Sequence, residues 1–261
     1  MQNDTGRVTV DMNAEVHRVP VEGDESIVID WYPAAPGARV ALYVHGLGSH
    51  RRGEKALYFA GRFNALGWAF AAVDLRGHGA ADGRIQELTL SRLLADVAAT
   101  RDWLERRTAT RPLLIGSSMG AAVVAWDSVL SQRSSGPLVL LAPSLTFPAG
   151  VLAQLSAAEL ETWRQCGVRR FRSEWIDLEI GFDLVADAER YDPGQLRREL
   201  SAPTLIVHGV RDATIPASAS LDFATHSAGV DVYLVGDGDH RLTDARRKVF
   251  DVLWSWLDHL S

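Results

Sequence analysis

"LLIGSSMGAA", residues 113–122, decides how the rest of the chain is read. Leu113, Leu114 and Ile115 run as a buried strand does. Gly116, Ser117, Ser118, Met119 and Gly120 then fit the pattern G-x-S-x-G with Ser118 at its centre, and Ala121 and Ala122 carry small residues into a helical segment. A serine on a sharp strand-to-helix turn is held in a strained backbone conformation, so its flanks must be small. Such a turn lifts the hydroxyl above the end of the strand and aims the free N–H groups of the next helix at the space before it. The plainer alternative is a turn with Ser118 as helix N-cap. The strand before it and the helix after it favour a nucleophile. Ser117 holds the variable position and is read as a packing or hydrogen-bonding residue.

The same rhythm extends outward. "RVALYVHG" (39–46), "WAFAAVDLRG" (68–77), "RPLLIGSS" (111–118), "GPLVLLAP" (136–143), "APTLIVHG" (202–209) and "VDVYLVGDG" (230–238) are short, β-rich apolar runs. Their continuous hydrophobicity suits strands of a parallel sheet covered on both faces. Helical segments lie between them at 54–66, 89–107, 119–132 and 244–260. In the last, Val249, Phe250, Leu253, Trp256, Leu257 and Leu260 form a stripe expected to pack on the sheet, a dimer contact being the alternative. Residues 8–32 ("VTVDM", "HRVPVEG", "SIVIDWYP") alternate and read as antiparallel edge strands. The expected fold is α/β: a three-layer sandwich with a mostly parallel sheet of about eight strands and helices on both faces. Residues 147–200 break the rhythm. They are charged, aromatic-rich and without a strong buried strand, so they read as a helical insertion into a core formed by 1–146 and 201–261.

Composition narrows the function classes. The chain has 261 residues, is 47% hydrophobic and carries net charge −6, so it is long enough for a sizeable core and poorly suited to binding a phosphate backbone. The basic runs "RRFR" (169–172) and "RRK" (246–248) have acids nearby and read as solvated faces. Cys166 is the single cysteine and no Cys/His cluster has zinc spacing, so neither a disulfide nor a metal is expected. The polar N-terminus and the lack of an apolar run of roughly 18 residues make a cytoplasmic protein without a membrane span the expectation.

A serine hydroxyl needs a base. His240, in "VGDGDHRL", follows the last expected strand, and Asp212, in "VHGVRDATIP", follows the one before. Ser118, Asp212 and His240 give nucleophile, acid and base in the order usual for a strand-to-helix nucleophile turn. Asp237 and Asp239 are rival acids. Asp239 adjoins the histidine, and adjacent loop residues rarely point at each other, so Asp212 is preferred. In "YVHGLGSH" (43–50) glycines allow close backbone approach, and the amides of Leu47 and Met119 are the expected oxyanion donors, each worth about 3 kcal/mol of barrier.

Together "HGLG" (45–48), "DLRGHG" (74–79), "GSSMG" (116–120), "HGVRD" (208–212) and "GDH" (238–240) resemble the α/β-hydrolase superfamily, in the branch of monoacylglycerol lipases and serine-aminopeptidase-like hydrolases. The resemblance implies the same triad and oxyanion donors, a lid over 147–200, and structural roles for His45, Asp74, Arg76 and His78. Lipases of that branch commonly have histidine where this chain has Ser117. The expected activity is hydrolysis of small acyl esters of short to medium chain through an acyl-enzyme, without cofactor. Acyl-thioesterase and monoacylglycerol lipase are the alternatives; amidase, peptidase, C–C bond hydrolase and non-catalytic binding protein are more remote. Phe147, Trp163, Phe171, Trp175, Ile176 and Phe182 are candidates for an acyl pocket, or else pin the insertion to the core. Arg169, Arg170 and Arg172 could meet an acidic leaving group but read first as surface charges. Monomer and homodimer both fit the sequence.

Overall fold

The computed structural model describes residues 14–131 and 136–260. The "VTVDM" run at 8–12, expected as an edge strand, lies outside the described residues. The strands are β1 (Glu15–Pro20), β2 (Ser26–Tyr32), β3 (Val40–Val44), β4 (Ala69–Asp74), β5 (Leu113–Ser117), β6 (Leu138–Leu141), β7 (Val168–Arg172), β8 (Asp177–Gly181), β9 (Thr204–Gly209) and β10 (Val230–Val235). The helices are α1 (Glu54–Ala65), α2 (Leu90–Thr108), α3 (Met119–Leu130), α4 (Ala149–Leu152), α5 (Ala157–Cys166), α6 (Asp183–Ala188), α7 (Pro193–Glu199), α8 (Ala217–Thr225) and α9 (Arg246–Leu260).

Eight strands form one sheet in the order β1-β2-β4-β3-β5-β6-β9-β10. The β1–β2 and β2–β4 pairs are antiparallel and all the others parallel. This is the α/β-hydrolase fold that the motifs imply. Its cause is visible in burial. Every residue of β3, β4, β5, β6 and β9 is buried, as continuous apolar runs demand, whereas the edge strands β1 and β10 are mostly exposed or half-buried. One face packs on α2 and α3 through Leu93, Val97, Leu104, Val123 and Trp126. The other packs on α1 and α9, where Phe59 and Phe63 meet Phe250 at ring separations of 5.7 and 5.1 Å. Of the expected α9 stripe, Val249, Phe250, Leu253 and Leu257 are buried, Trp256 is half-buried and Leu260 is exposed at the last helical position.

Between β6 and β9 the chain leaves the sheet. This segment contains α4 to α7 but also β7 and β8, which pair antiparallel as a separate two-stranded sheet. The expectation of a purely helical insertion is corrected by that hairpin. Its strands alternate rather than run apolar: Phe171, Leu178 and Ile180 turn toward the core while Arg170, Arg172, Asp177 and Glu179 face out. Among the described residues no helix is long and apolar enough to cross a membrane.

Candidate active site

Ser118 sits between the end of β5 and the start of α3 with φ 52° and ψ −115°, a conformation that a non-glycine residue adopts only when its surroundings enforce it. Close packing enforces it here. A Cβ on Gly116 would come within 2.5 Å of the Ala121 Cα and the Gly120 carbonyl oxygen, and one on Gly120 within 2.4 Å of the Val44 and His45 carbonyl oxygens. Both contacts are with backbone, which cannot swing away. The small flanks are therefore what lets α3 start against the ends of β3 and β5.

The loops after β9 and β10 bring two further side chains to the same place. His240 Nε2 lies 3.0 Å from Ser118 Oγ, and His240 Nδ1 lies 2.7 Å from Asp212 Oδ2. With Nδ1–H donating to the carboxylate, Nε2 is left to accept the serine proton. Asp239 instead accepts the Leu242 amide on its Oδ1 at 2.8 Å, and among the described residues the carboxylate bonded to the imidazole is that of Asp212.

Asp212 is more heavily engaged than the sequence indicates. Its Oδ1 accepts the amides of Thr214 and Ile215, both at 2.8 Å, and its Oδ2 accepts a second imidazole, His208 Nε2, at 3.0 Å. His208 is buried in β9 and also reaches Ser220 Oγ at 2.7 Å and the Ile215 carbonyl at 3.0 Å. Burial alone would raise the Asp212 pKa. The hydrogen bonds from His208, His240 and the Ile215 amide outweigh it and hold the carboxyl below the usual carboxylate range, so it stays ionised beside the imidazole. The one signal of His208 in the sequence is a polar residue inside an otherwise apolar run, "TLIVHG".

Leu47 and Met119 both line the cavity in front of Ser118, and neither amide donates to another group among the described residues. The Leu47 loop is shaped from behind by His45, which is fully buried, donates from Nδ1 to the Gly46 carbonyl at 2.8 Å and accepts the Leu75 amide on Nε2 at 3.2 Å. Burial, then the neighbouring His78, push the His45 pKa well down, so the ring is neutral and serves as a brace. Asp74 ties the same loops together by accepting the Arg51 amide at 2.6 Å, the Arg51 guanidinium and the Ala80 amide at 2.8 Å. Arg76 is buried against Asp96 at 2.6 Å.

The cavity holds about 650 Å³. Phe147, Phe171, Trp175 and Ile176 line it; Trp163 and Phe182 do not. For those two the pocket expectation is corrected. Trp163 is buried on the inner side of α5, donates Nε1–H to the Ile180 carbonyl at 3.0 Å and meets the Phe171 and Phe182 rings at 5.4 and 5.9 Å, so both hold the insertion together. Ile176, at the tip of the β7–β8 hairpin, reaches over the loop that holds Leu47 and Gly48, its Cγ2 lying 2.8 Å from where a Cβ on Gly48 would stand. Arg169 pairs with Glu159 at 2.9 Å, and Arg170 and Arg172 face Asp177, so these arginines are surface ion pairs. Among the described residues no group of three or more His, Cys, Asp or Glu side chains is placed to hold a metal ion.

Residues 35–173 match the family described as "Serine aminopeptidase, S33". The mouse mitochondrial palmitoyl-protein thioesterase ABHD10 is 26% identical over an alignment of 213 positions that covers 78% of this chain and 69% of that protein. A monoacylglycerol lipase of Mycolicibacterium smegmatis is 26% identical over an alignment of 237 positions that covers 81% of this chain and 84% of the lipase. Among solved structures, mouse alpha/beta hydrolase domain-containing protein 10 superposes with TM-score 0.81 at 21% identity, covering 95% of this chain and 100% of that one. Est1E from Butyrivibrio proteoclasticus, solved with ferulic acid bound, superposes with TM-score 0.76 at 18% identity, covering 93% and 99%. At those identities the two superpositions speak for the fold.

Proposed function

The chain belongs to the serine aminopeptidase S33 family, and we propose that within it the protein is a carboxylic ester hydrolase with Ser118, His240 and Asp212 as its triad. Being a hydrolase of the esterase, thioesterase and lipase kind follows from its relatives; the ester preference and the residue roles are the proposal. The observation that carries it is the relay of 3.0 and 2.7 Å contacts ending on a serine held at φ 52°.

Ser118 Oγ attacks the ester carbonyl carbon while His240 Nε2 takes its proton. The carbonyl oxygen becomes an oxyanion and accepts the Leu47 and Met119 amides. As the C–O bond to the alcohol breaks, His240 returns the proton to the departing oxygen. Water, deprotonated by the same imidazole, then releases the acid and restores the serine. Asp212, kept ionised by its four donors, fixes the imidazole and stabilises its protonated form. The insertion acts as the lid that selects substrate: Phe147, Phe171 and Ile176 give the cavity an apolar wall, and its size suits a short to medium acyl chain.

A second reading, acyl-thioesterase, is favoured by the palmitoyl-protein thioesterase relatives. Ethyl butyrate and ethyl thiobutyrate separate the two. A kcat/KM at least about tenfold higher for the oxygen ester supports the first reading, and the reverse order assigns the second. Inertness toward both, by a folded protein, contradicts either.

A further inference from the structure

Lys55 has no part in the reaction above. It stands in the first turn of α1, half-buried, on the wall of the same cavity, and its Nζ donates to Ser117 Oγ at 2.9 Å. Ser117 is buried, directly precedes the nucleophile and lies near the buried Tyr43 hydroxyl. An ammonium offers three donors. Among the described residues one of them is used, by a neutral hydroxyl, and no carboxylate pairs with the nitrogen. A cation withdrawn from water without a counter-ion is costly, and an anion arriving beside it removes that cost. Burial, then repulsion from Arg241, push the Lys55 pKa down to about 8, with Asp239 acting the other way.

The surroundings sharpen the point. Arg241, next to His240, lines the same cavity; its guanidinium lies 4.6 Å from the centre of the Trp175 ring, and its carboxylate neighbour, Glu54, is 4.0 Å away. Glu54 lines the cavity as well and faces Arg241, so on the α1 side Lys55 is the cation without a carboxylate partner among the described residues, while the insertion side, at Phe147, Phe171 and Ile176, is apolar.

We propose that Lys55 pairs with a carboxylate carried by the substrate, so that the preferred esters bear a free carboxylate on one side of the scissile bond and an apolar group on the other. This rests on the ester-hydrolase reading of Ser118. The competing role for Lys55 is a strut that only holds Ser117, and it predicts no dependence on substrate charge.

Two matched pairs of esters distinguish these roles and also tell on which side the carboxylate lies: monoethyl adipate against ethyl hexanoate, and carboxymethyl butyrate against propyl butyrate, followed by titration of released acid. The readout is the ratio of kcat/KM within each pair, which a general loss of folded enzyme does not move. The wild type prefers the carboxylate member of one pair. Lys55→Met lowers that preference at least about tenfold, the size of one charge-assisted hydrogen bond, and Lys55→Arg retains most of it. The wild-type preference also declines as pH rises through about 8, where Lys55, with Arg241, Asp239, Glu54, Ser117 and Tyr43 around it, loses its proton. Preference for the neutral member in both pairs, or a ratio unmoved by Lys55→Met, overturns the proposal alone. Inertness toward all four esters overturns it together with the hydrolase reading.

Discussion

The corner where β5, β9 and β10 end and the insertion that covers it are built on different principles. At the corner, backbone lies against backbone: Gly116 and Gly120 leave no room for a methyl group, and Asp212 is satisfied by four donors from three segments. The insertion is pinned at separate points instead. Asp187 accepts the Ser91 amide at 2.9 Å, Tyr191 packs on Trp126 at 5.4 Å, Trp163 holds the hairpin from inside, and its outer surface carries exposed ion pairs. On the proposed reading, the contrast separates chemistry, which tolerates no displacement, from substrate selection, which needs a wall that can vary.

That division can be broken by substitution. Ser118→Ala is expected to reduce ester turnover by about a millionfold with an unchanged melting temperature, since the small side chain relieves rather than adds crowding. Comparable activity in both proteins breaks the account of the corner. Asp212→Asn should cost about ten-thousandfold in kcat, because the amide no longer fixes the imidazole tautomer, and pH–rate profiles check that the loss is in kcat rather than KM. Trp163→Ala removes a buried anchor of the insertion, a change worth about 3–5 kcal/mol in a well-packed core. The expected result is faster proteolysis within 147–200, a greater loss of kcat/KM for hexanoyl than for acetyl esters, and a core that melts nearly as before. If the whole protein melts earlier by the full amount, the two regions form one cooperative unit. Arg170→Ala, which breaks an exposed pair with Asp177, should shift the thermal midpoint by less than about 1 °C.

How far each region could be read from sequence follows the same line. β3, β4, β5, β6 and β9 all fall within apolar runs visible in the sequence, because strands of a covered parallel sheet need nothing but burial, and the edge strand β10 falls in such a run although it is mostly exposed or half-buried. Ser118, Asp212 and His240 could be singled out because each follows such a run. The hairpin β7–β8 stayed hidden, since "VRRFR" and "DLEIG" turn only alternate residues inward and arginine dominates the composition. Likewise α8 is short, is mostly exposed, has no long apolar run, and follows Pro216. Aromatic identity could not tell Trp163, a pin, from Phe171, a wall, because both bury the same kind of surface. His208 and Lys55 needed three dimensions: their partners, Asp212 and Ser117, are set by how strands and helices meet.

Covalent labelling tests the central claim most directly. Treated with a fluorophosphonate and mapped by peptide mass, the wild-type protein should carry a single adduct on Ser118, formed far more slowly in His240→Ala and absent in Ser118→Ala. An adduct on Ser117 or any other residue, or equal labelling with and without the histidine, contradicts a nucleophile activated at the turn between β5 and α3.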